Sequence, residues 1–168
     1  MECIIRRALP GEETEVSRIM VRTWKTAYAG IVDGAYLNAL DEKNEKRISS
    51  LLRDIEEGKV LVAVLENTVV GFAIFGPARE NRYSGLGEIY ALYVVDPLQK
   101  NGVGRRLVNA AKEELHQTGY TEFVVGCLTD NPSCRFYEKM GGIKTEEKNL
   151  AIGGRDYRET VYLFVFPD

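Results

Sequence analysis

The sequence predicts an α/β (α+β) fold, in which a mixed, mostly antiparallel sheet is flanked by helices on both faces. Strand-like and helix-like segments follow one another in the order β, α, α, β, β, β, α, β, α, β, β. This order combines hairpins with a β-α-β crossover and differs from the strict alternation of a doubly wound parallel sheet. The 168 residues show no linker, internal repeat or change of composition, so a single domain over residues 1–168 is expected.

The first half of the chain predicts a strand, two helical regions and a hairpin. Apolar residues recur at helical spacing in the helical regions, whereas β-branched residues are concentrated in the strands. In chain order, the segments are a strand at residues 3–8, a helix from Gly11 to about Ala29, a second helical region from Tyr36 to about Glu57, and strands at Lys59–Glu66 and Val69–Phe75 joined by Asn67-Thr68.

The second half contains the most regular helix of the chain, which has one apolar face and ends before Gly119. A polar, glycine-containing loop precedes it, and further strands and a short helix follow. In chain order, the segments are a loop at Pro77–Gly87, a strand at Glu88–Val95 closed by Asp96-Pro97, the long helix at Gly102–Gln117, a strand at Thr121–Leu128, a short helix at Pro132–Met140, and strands at about Lys144–Ile152 and Tyr157–Phe166.

Composition and charge exclude several classes of function. With 22 basic against 25 acidic side chains, the formal net charge is −3, so the chain lacks the basic excess that a non-specific nucleic-acid binder needs. One histidine and three cysteines without a C-x-x-C pair argue against a zinc site and against a paired disulfide set. No membrane span or signal peptide is visible, and a reducing cytoplasm is the expected location.

The turn between the strand at Glu88–Val95 and the helix at Gly102–Gln117 is the clearest candidate for ligand binding. The first turn of a helix offers unpaired N–H groups and the positive end of the helix dipole, which together favour an anion. Lys100, Arg105 and Arg106 add positive charge beside this turn. The turn therefore predicts a phosphate or diphosphate ligand, with glycines that serve chain geometry alone as the alternative.

The same turn carries a resemblance to a known family. Val94 followed by Gln99-x-x-Gly102-x-Gly104, at the start of an amphipathic helix, resembles the acetyl-coenzyme A signature of the GNAT superfamily of N-acetyltransferases. The order of predicted elements resembles that fold along nearly the whole chain. The resemblance implies acetyl-CoA as cosubstrate, no metal ion, and backbone contacts from Leu92, Tyr93 and Val94 to the pantetheine arm and from Gln99, Lys100, Asn101, Gly102, Val103, Gly104 and Arg105 to the diphosphate.

Direct acetyl transfer from a thioester to an amine needs a proton acceptor for the amine and a proton donor for the departing thiolate. Glu88 lies six residues before Val94 on the predicted strand, and even spacing places both side chains on one face unless a bulge intervenes. The resemblance implies that Glu88 is the general base, with a solvated carboxylate at a strand end as the alternative. It also implies that Tyr137 is the general acid, with a core aromatic residue as the alternative.

Asn131 has two interpretations. Because Pro132 follows it, Asn131 is expected to cap the short helix, and the resemblance implies a contact with the pantetheine. Its spacing to Tyr137 is one residue shorter than the family's usual spacing. The acceptor is expected near the first helices and the late hairpin, where the candidate residues are Trp24, Tyr28, Asp33, Tyr36, Glu80, Tyr83, Tyr90, Arg155 and Tyr157.

These observations predict an acetyl-CoA-dependent N-acetyltransferase that moves the acetyl group directly to a primary amine of a small molecule or peptide. Two alternatives stay open, namely acetylation of a protein N-terminus or lysine, and a non-catalytic acyl-CoA-binding regulatory module. The expected partners are acetyl-CoA and an amine acceptor, without nucleic acid or membrane. A homodimer is a further option that the resemblance leaves open.

Overall fold

The computed structural model describes residues 2–95 and 98–167, and all strands among them form one seven-stranded sheet. Two short 3-10 helices lie at Asn81–Tyr83 and Leu98–Lys100. The strands and α-helices are β1 Cys3–Arg7, α1 Glu13–Ala27, α2 Gly34–Ala39, α3 Glu45–Glu56, β2 Val60–Leu65, β3 Thr68–Pro77, β4 Gly87–Val94, α4 Val103–Thr118, β5 Glu122–Leu128, α5 Ser133–Lys139, β6 Ile143–Ile152 and β7 Arg155–Val165.

The strands lie in the order β1-β2-β3-β4-β5-β7-β6. Every neighbouring pair is antiparallel except β4 and β5, which are parallel, because the chain crosses over through α4 between them. The predicted mixed, mostly antiparallel sheet is therefore confirmed, and its parallel pair lies in the middle.

Helices cover both faces of the sheet, as the sequence predicts. On one face, α4 and α5 cover a core that includes Leu107, Leu115 and Phe123. On the other face, α1 and α3 cover a core that includes Val16 and Phe72. Each such fully buried side chain contributes about 2 kcal/mol of hydrophobic stabilisation, so both layers hold the sheet.

The second helical region differs from the prediction, because it consists of two helices instead of one. After α2, Leu40 adopts an extended conformation, with φ −66° and ψ 126°. A new helix then begins where the Asn44 side chain accepts a hydrogen bond from the Arg47 N–H at 2.9 Å. The side-chain oxygen of Asp41 likewise accepts from the Lys43 N–H. These local side-chain bonds compete with helical ones, so the predicted helical region forms two helices.

The first hairpin turns one residue earlier than predicted. Glu66 and Asn67 have positive φ values of 49° and 64°, whereas Thr68 already pairs with Leu65. Such a pair of left-handed residues matches the twist of a two-residue hairpin. Asp96-Pro97, predicted to close β4, lies outside the described residues. No helix in the described ranges is long and apolar enough to cross a membrane.

Candidate active site

The two parallel strands at the middle of the sheet diverge after a short paired segment. Their pairing ends at Ile89 and Val125, although β4 continues to Val94 and β5 to Leu128. On their outer edges both strands stay paired to their ends, β4 with β3 and β5 with β7. Among the described residues, 2–95 and 98–167, no strand therefore pairs with the inner edge of β4 from Tyr90 to Val94. We call the point of divergence the fork.

The fork opens into a cleft of about 440 Å³ that passes through the sheet, which we call the central cleft. Helix α1 borders it on one face of the sheet, through Thr23, Ala27 and the residue that follows the helix, Tyr28. Helices α4 and α5 border it on the other face, through Gly104, Phe136 and Tyr137. A molecule in the central cleft can therefore be contacted from both faces.

Six of the residues predicted to bind the coenzyme line the central cleft. They are Leu92, Tyr93, Val94, Gln99, Gly104 and Asn131. The Gln99 side chain donates a hydrogen bond from Nε2 to the Val94 carbonyl at 3.0 Å, which ties the turn to the end of β4. The strand and the turn are thus held as one wall of the cleft.

The remaining predicted coenzyme residues lie at the start of α4, beside the cleft. Gly102 precedes the helix with φ +82°, a conformation that strains other residues, and the helix begins at Val103. Asn101 and Arg105 are exposed there, and Lys100 belongs to the preceding 3-10 helix. The first-turn N–H groups of α4 are consequently available to an anion at this end of the helix.

Arg106 does not contribute to that end of the helix in the way its sequence position suggested. Its guanidinium donates a hydrogen bond to the Cys3 carbonyl on β1. The positive charge beside the turn therefore comes from Arg105 among the side chains that the structure describes there.

Asn131 combines the two interpretations that the sequence left open. Its side-chain oxygen accepts a hydrogen bond from the Ser133 N–H at 3.0 Å, and its carbonyl accepts one from the Cys134 N–H. These bonds cap the start of α5, although Pro132 is the residue that immediately precedes the helix. The same residue lines the central cleft, so its free amide protons remain available to a ligand.

Tyr137 lies on α5 with its side chain almost fully buried against the cleft. Its ring packs against Phe136, with ring centres 5.3 Å apart, and against Tyr162, with centres 6.1 Å apart. Its hydroxyl makes no hydrogen bond to any side chain or backbone group in the described ranges. Burial raises the pKa of the Tyr137 hydroxyl well above its usual value. The phenol therefore stays protonated at neutral pH and retains a proton to donate.

An aromatic cluster on the α1 side faces Tyr137 across the cleft. Trp24 donates from Nε1 to the Tyr93 hydroxyl at 2.8 Å and packs edge-on against Tyr28, with ring centres 4.7 Å apart. Burial raises the pKa of both Tyr28 and Tyr93, so both phenols are neutral. The sequence assigned only a backbone role to Tyr93, whereas its side chain also joins α1 to the sheet.

Glu88 lies on the opposite face from the one that even spacing with Val94 predicted. The pairing of β3 with β4 passes from Ile74 with Ala91 to Phe75 with Ile89, so Tyr90 is an extra residue, a β-bulge. The bulge reverses the alternation of side chains between Glu88 and Val94. The expectation that both share a face is therefore wrong, and Glu88 points toward the face that carries α1 and α3.

Both carboxylate oxygens of Glu88 are bound by Arg79. The Arg79 backbone N–H donates to Oε1 at 3.0 Å, and its guanidinium donates to Oε2 at 2.8 Å. The same guanidinium lies 4.4 Å from the centre of the Tyr90 ring. Glu88 is thus part of a fixed group of side chains instead of a solvated carboxylate.

Glu88 lines a second pocket of about 360 Å³ next to the central cleft, which we call the carboxylate pocket. Two residues at the fork, Tyr90 and Gly126, line both spaces. The sequence singled out Glu80, Tyr83, Glu88 and Tyr90 here. It gave no indication of the other lining residues, which are Arg79, Val124, Gly126, Lys148, Leu150, Glu159 and Val161.

Seven of the nine predicted acceptor-side residues line three spaces, whereas Trp24 and Tyr36 line none of them. Tyr28 and Tyr90 line the central cleft, and Glu80 and Tyr83 line the carboxylate pocket. A third, groove-like space of about 570 Å³ lies between the α1–α2 loop and the β6–β7 turn, where it is lined by Asp33, Arg155 and Tyr157 among others. No group of three potential metal ligands occurs among residues 2–95 and 98–167.

Comparison with known proteins identifies the family that this chain resembles in sequence. Residues 20–142 match the family described as Acetyltransferase (GNAT) family. Over 156 residues the chain is 32% identical to the uncharacterized N-acetyltransferase YuaI of Bacillus subtilis, covering 92% of this chain and 88% of that protein. A probable N-acetyltransferase of Mycobacterium tuberculosis is 28% identical over 158 residues, covering 91% of this chain and 82% of that protein.

Solved structures have the same fold. YncA of Salmonella typhimurium, solved with acetyl-CoA, gives a TM-score of 0.77 at 22% identity, covering 100% of this chain and 96% of that one. The PaiA N-acetyltransferase of Thermoplasma acidophilum, solved with coenzyme A, gives 0.76 at 18% identity, covering 99% and 100%. The family match runs from the middle of α1 to just past the end of α5 and therefore includes both strands of the fork. The chain belongs to the acetyltransferase (GNAT) family.

Proposed function

We propose that the protein is an acetyl-CoA-dependent N-acetyltransferase that transfers the acetyl group directly to a primary amine of a small molecule or peptide. The observation that carries this proposal is the fork, where the central cleft and the carboxylate pocket meet at Tyr90 and Gly126. One space suits a coenzyme and the other an amine, so the two reactants can meet at the fork.

The residues of the central cleft fit coenzyme A. The unpaired edge of β4 from Tyr90 to Val94 can bind an amide-bearing arm in the way a strand binds its neighbour. The first-turn N–H groups of α4 suit a diphosphate. Gly104, in the first turn of α4, lines the cleft beside Phe136. YncA and PaiA, whose structures contain acetyl-CoA and coenzyme A, share the fold.

Each chemical step has a candidate residue in this chain. Tyr137 would donate its proton to the departing thiolate, and backbone N–H groups near Val94 would stabilise the negative charge that develops on the carbonyl oxygen. The amine would lose its proton into the carboxylate pocket, where Glu88 is the acceptor predicted from the sequence. Acetyl-CoA supplies an activated thioester, so the chain needs no nucleophile of its own.

Two other functions use the same site. A protein N-terminus or lysine would place the amine at the fork on a larger acceptor, and an acyl-CoA-binding module would bind the coenzyme without turnover. The carboxylate pocket beside the central cleft favours an enzyme, since a binding module needs no second pocket for an amine. A cytoplasmic location and a homodimer stay predictions from the sequence and the family resemblance.

Release of free thiol from acetyl-CoA tests the proposal. Polyamines, amino acids, aminoglycosides and peptides are offered as acceptors, and coenzyme binding is measured by calorimetry in parallel. The proposal predicts thiol release that depends on at least one of these amines. Tight coenzyme binding without turnover on any amine would indicate the binding module, and turnover on peptides alone would indicate a protein acetyltransferase.

A further inference from the structure

We infer that Glu159, rather than Glu88, accepts the proton of the acceptor amine. Glu159 lies on β7 and was not singled out by the sequence, because only the pairing of β7 with β5 and β6 brings it to the fork. The inference rests on the proposed function, since it concerns the carboxylate pocket of the same site.

The Glu159 carboxylate lies directly against the backbone of Gly126. A Cβ built on Gly126 would lie 2.8 Å from Glu159 Cδ and from Oε2, and 3.1 Å from Oε1. Gly126 follows Val125, the last residue of β5 that pairs with β4, and it lines both the central cleft and the carboxylate pocket. The absence of a side chain at Gly126 therefore allows the carboxylate to reach the fork.

Glu88 and Glu159 differ in their hydrogen bonds and hardly in their burial. Their side chains are 14% and 16% exposed, respectively. Arg79 binds both oxygens of Glu88, whereas the Glu159 carboxylate receives no hydrogen bond from the described residues. Its nearest cation is the Lys148 ammonium, 3.4 Å from Oε1, and this ammonium makes a closer contact with Glu80. Glu159 is thus the carboxylate with a free oxygen for a proton.

The charged and titratable groups around Glu159 come from four segments. Besides Lys148 on β6, they lie on the β3–β4 connection, on β4 and on β5: Arg79, Glu80, Tyr83, Glu88, Tyr90 and Cys127. The pocket lining carries three carboxylates, Glu80, Glu88 and Glu159, against the two cations Arg79 and Lys148. This excess of one negative charge favours an ammonium as the arriving group.

The proton balance of the transfer then has a residue at each end. The ammonium gives one proton to Glu159, which releases it to water in the carboxylate pocket. The free amine nitrogen forms a bond to the acyl carbon as the carbon–sulfur bond breaks. Tyr137 delivers a proton to the departing sulfur. The second proton that leaves the nitrogen then restores the Tyr137 hydroxyl, so the overall reaction releases one proton to water.

Steady-state kinetics of Glu159→Gln and Glu88→Gln test the inference, with the best amine from the thiol-release screen as the probe. Glu159→Gln is expected to lower kcat/KM for the amine by about 100-fold and to remove the acid limb of its pH profile. The coenzyme Kd should stay within about twofold of the wild-type value, because Glu159 is not among the residues that line the central cleft. Glu88→Gln should keep the acid limb of the pH profile, and its kcat/KM for the amine should fall by less than about fivefold.

Glu147→Gln is the matched control. Glu147 lies on β6 next to Lys148 and pairs with Lys144 and Arg158, outside the carboxylate pocket. It should keep wild-type kinetics. Gly126→Ala gives a second approach, since the new methyl group would displace the Glu159 carboxylate. It should lower kcat about tenfold in the wild-type background and much less in the Glu159→Gln background.

The inference is overturned if Glu159→Gln keeps kcat/KM within about threefold of wild type, or if Glu88→Gln alone removes the acid limb. If Glu159→Gln loses its cooperative thermal transition, the kinetics of Gly126→Ala test the inference instead. Full activity of Gly126→Ala would then contradict the role of Glu159 as proton acceptor. A wild-type protein that turns over no amine contradicts the proposed function itself. That result is distinguishable, because it precedes any comparison of variants.

Discussion

The Tyr137 hydroxyl is the side-chain group on which the transfer step depends most directly. Replacing Tyr137 by Phe keeps the ring that packs against Phe136 and Tyr162 and removes only the hydroxyl, which has no partner among the described residues. We expect kcat to fall by about 100-fold, as for loss of a general acid, and coenzyme affinity to stay within about twofold. Stopped-flow kinetics that isolate the chemical step, with calorimetry for binding, measure both.

Tyr162→Phe is the control for that change. Tyr162 belongs to the same core cluster, and its hydroxyl donates to Glu138 at 3.0 Å, away from the lining of the central cleft. Its loss should leave kcat within about twofold of wild type. Full kcat in Tyr137→Phe, with chemistry shown to limit the rate, would remove Tyr137 from the mechanism.

At the residue scale, the sequence predicts positions that a local motif marks and misses contacts that depend on how the strands pair. Tyr137 and Gly104 were predicted from a motif, and both line the central cleft. Glu159 and Gly126 meet only because β5 and β7 pair, and no spacing along the chain encodes that contact. The capture of Glu88 by Arg79 depends likewise on how the loop after β3 folds back.

At the scale of one element, α4 offers a test of the coenzyme turn. Gly102 precedes this helix with φ +82°, and Gly119 follows it with φ +108°; a Cβ on either would meet nothing within 4 Å. Gly102→Ala and Gly119→Ala should therefore cost similar stability, about 1 kcal/mol each, from backbone strain alone. Only Gly102→Ala distorts the turn that leads into the first-turn N–H groups.

We consequently expect Gly102→Ala to raise the coenzyme Kd by about tenfold, and Gly119→Ala to leave it within about twofold. Urea unfolding gives the two stability changes, and calorimetry gives the two affinities. Equal affinities in variants of equal stability would show that the α4 turn does not bind the coenzyme.

The elements themselves were predicted wherever their signal is local. The apolar face of α4 recurs at helical spacing and ends at Gly119, so its bounds were nearly correct. The break between α2 and α3 was missed, because it depends on side-chain bonds of Asp41, in the connection, and of Asn44, at the start of α3, and these interrupt no apolar pattern. The bulge at Tyr90 was missed because it exists only in the pairing of β3 with β4.

At the scale of the whole molecule, the buried tyrosines link stability to alkaline pH. Burial raises the pKa of Tyr28 and Tyr137 above the value of about 10 that an unfolded chain has. Above about pH 10 the unfolded chain therefore binds fewer protons than the folded one, and the free energy of unfolding falls as pH rises. Below that pH both states keep the protons, so this contribution is constant.

Urea unfolding at about pH 8 and about pH 11 measures this loss, and Tyr28→Phe should lose less stability over the same range. The part of the tyrosinate absorbance that Tyr28→Phe removes should rise together with unfolding. Ionisation of Tyr28 and Tyr137 near the ordinary pKa, in a protein that remains folded, would contradict the burial on which their neutral state depends.

The fate of a labelled acetyl group tests the central claim, direct transfer at the fork, most directly. Protein, acetyl-CoA labelled in the acetyl group and an accepted amine are mixed, quenched over time and resolved by mass spectrometry. Direct transfer predicts one labelled amide for each thiol released, with no labelled protein at any time. Label on the protein, for example on Cys127 beside the cleft, or thiol release that does not depend on the amine, would contradict it.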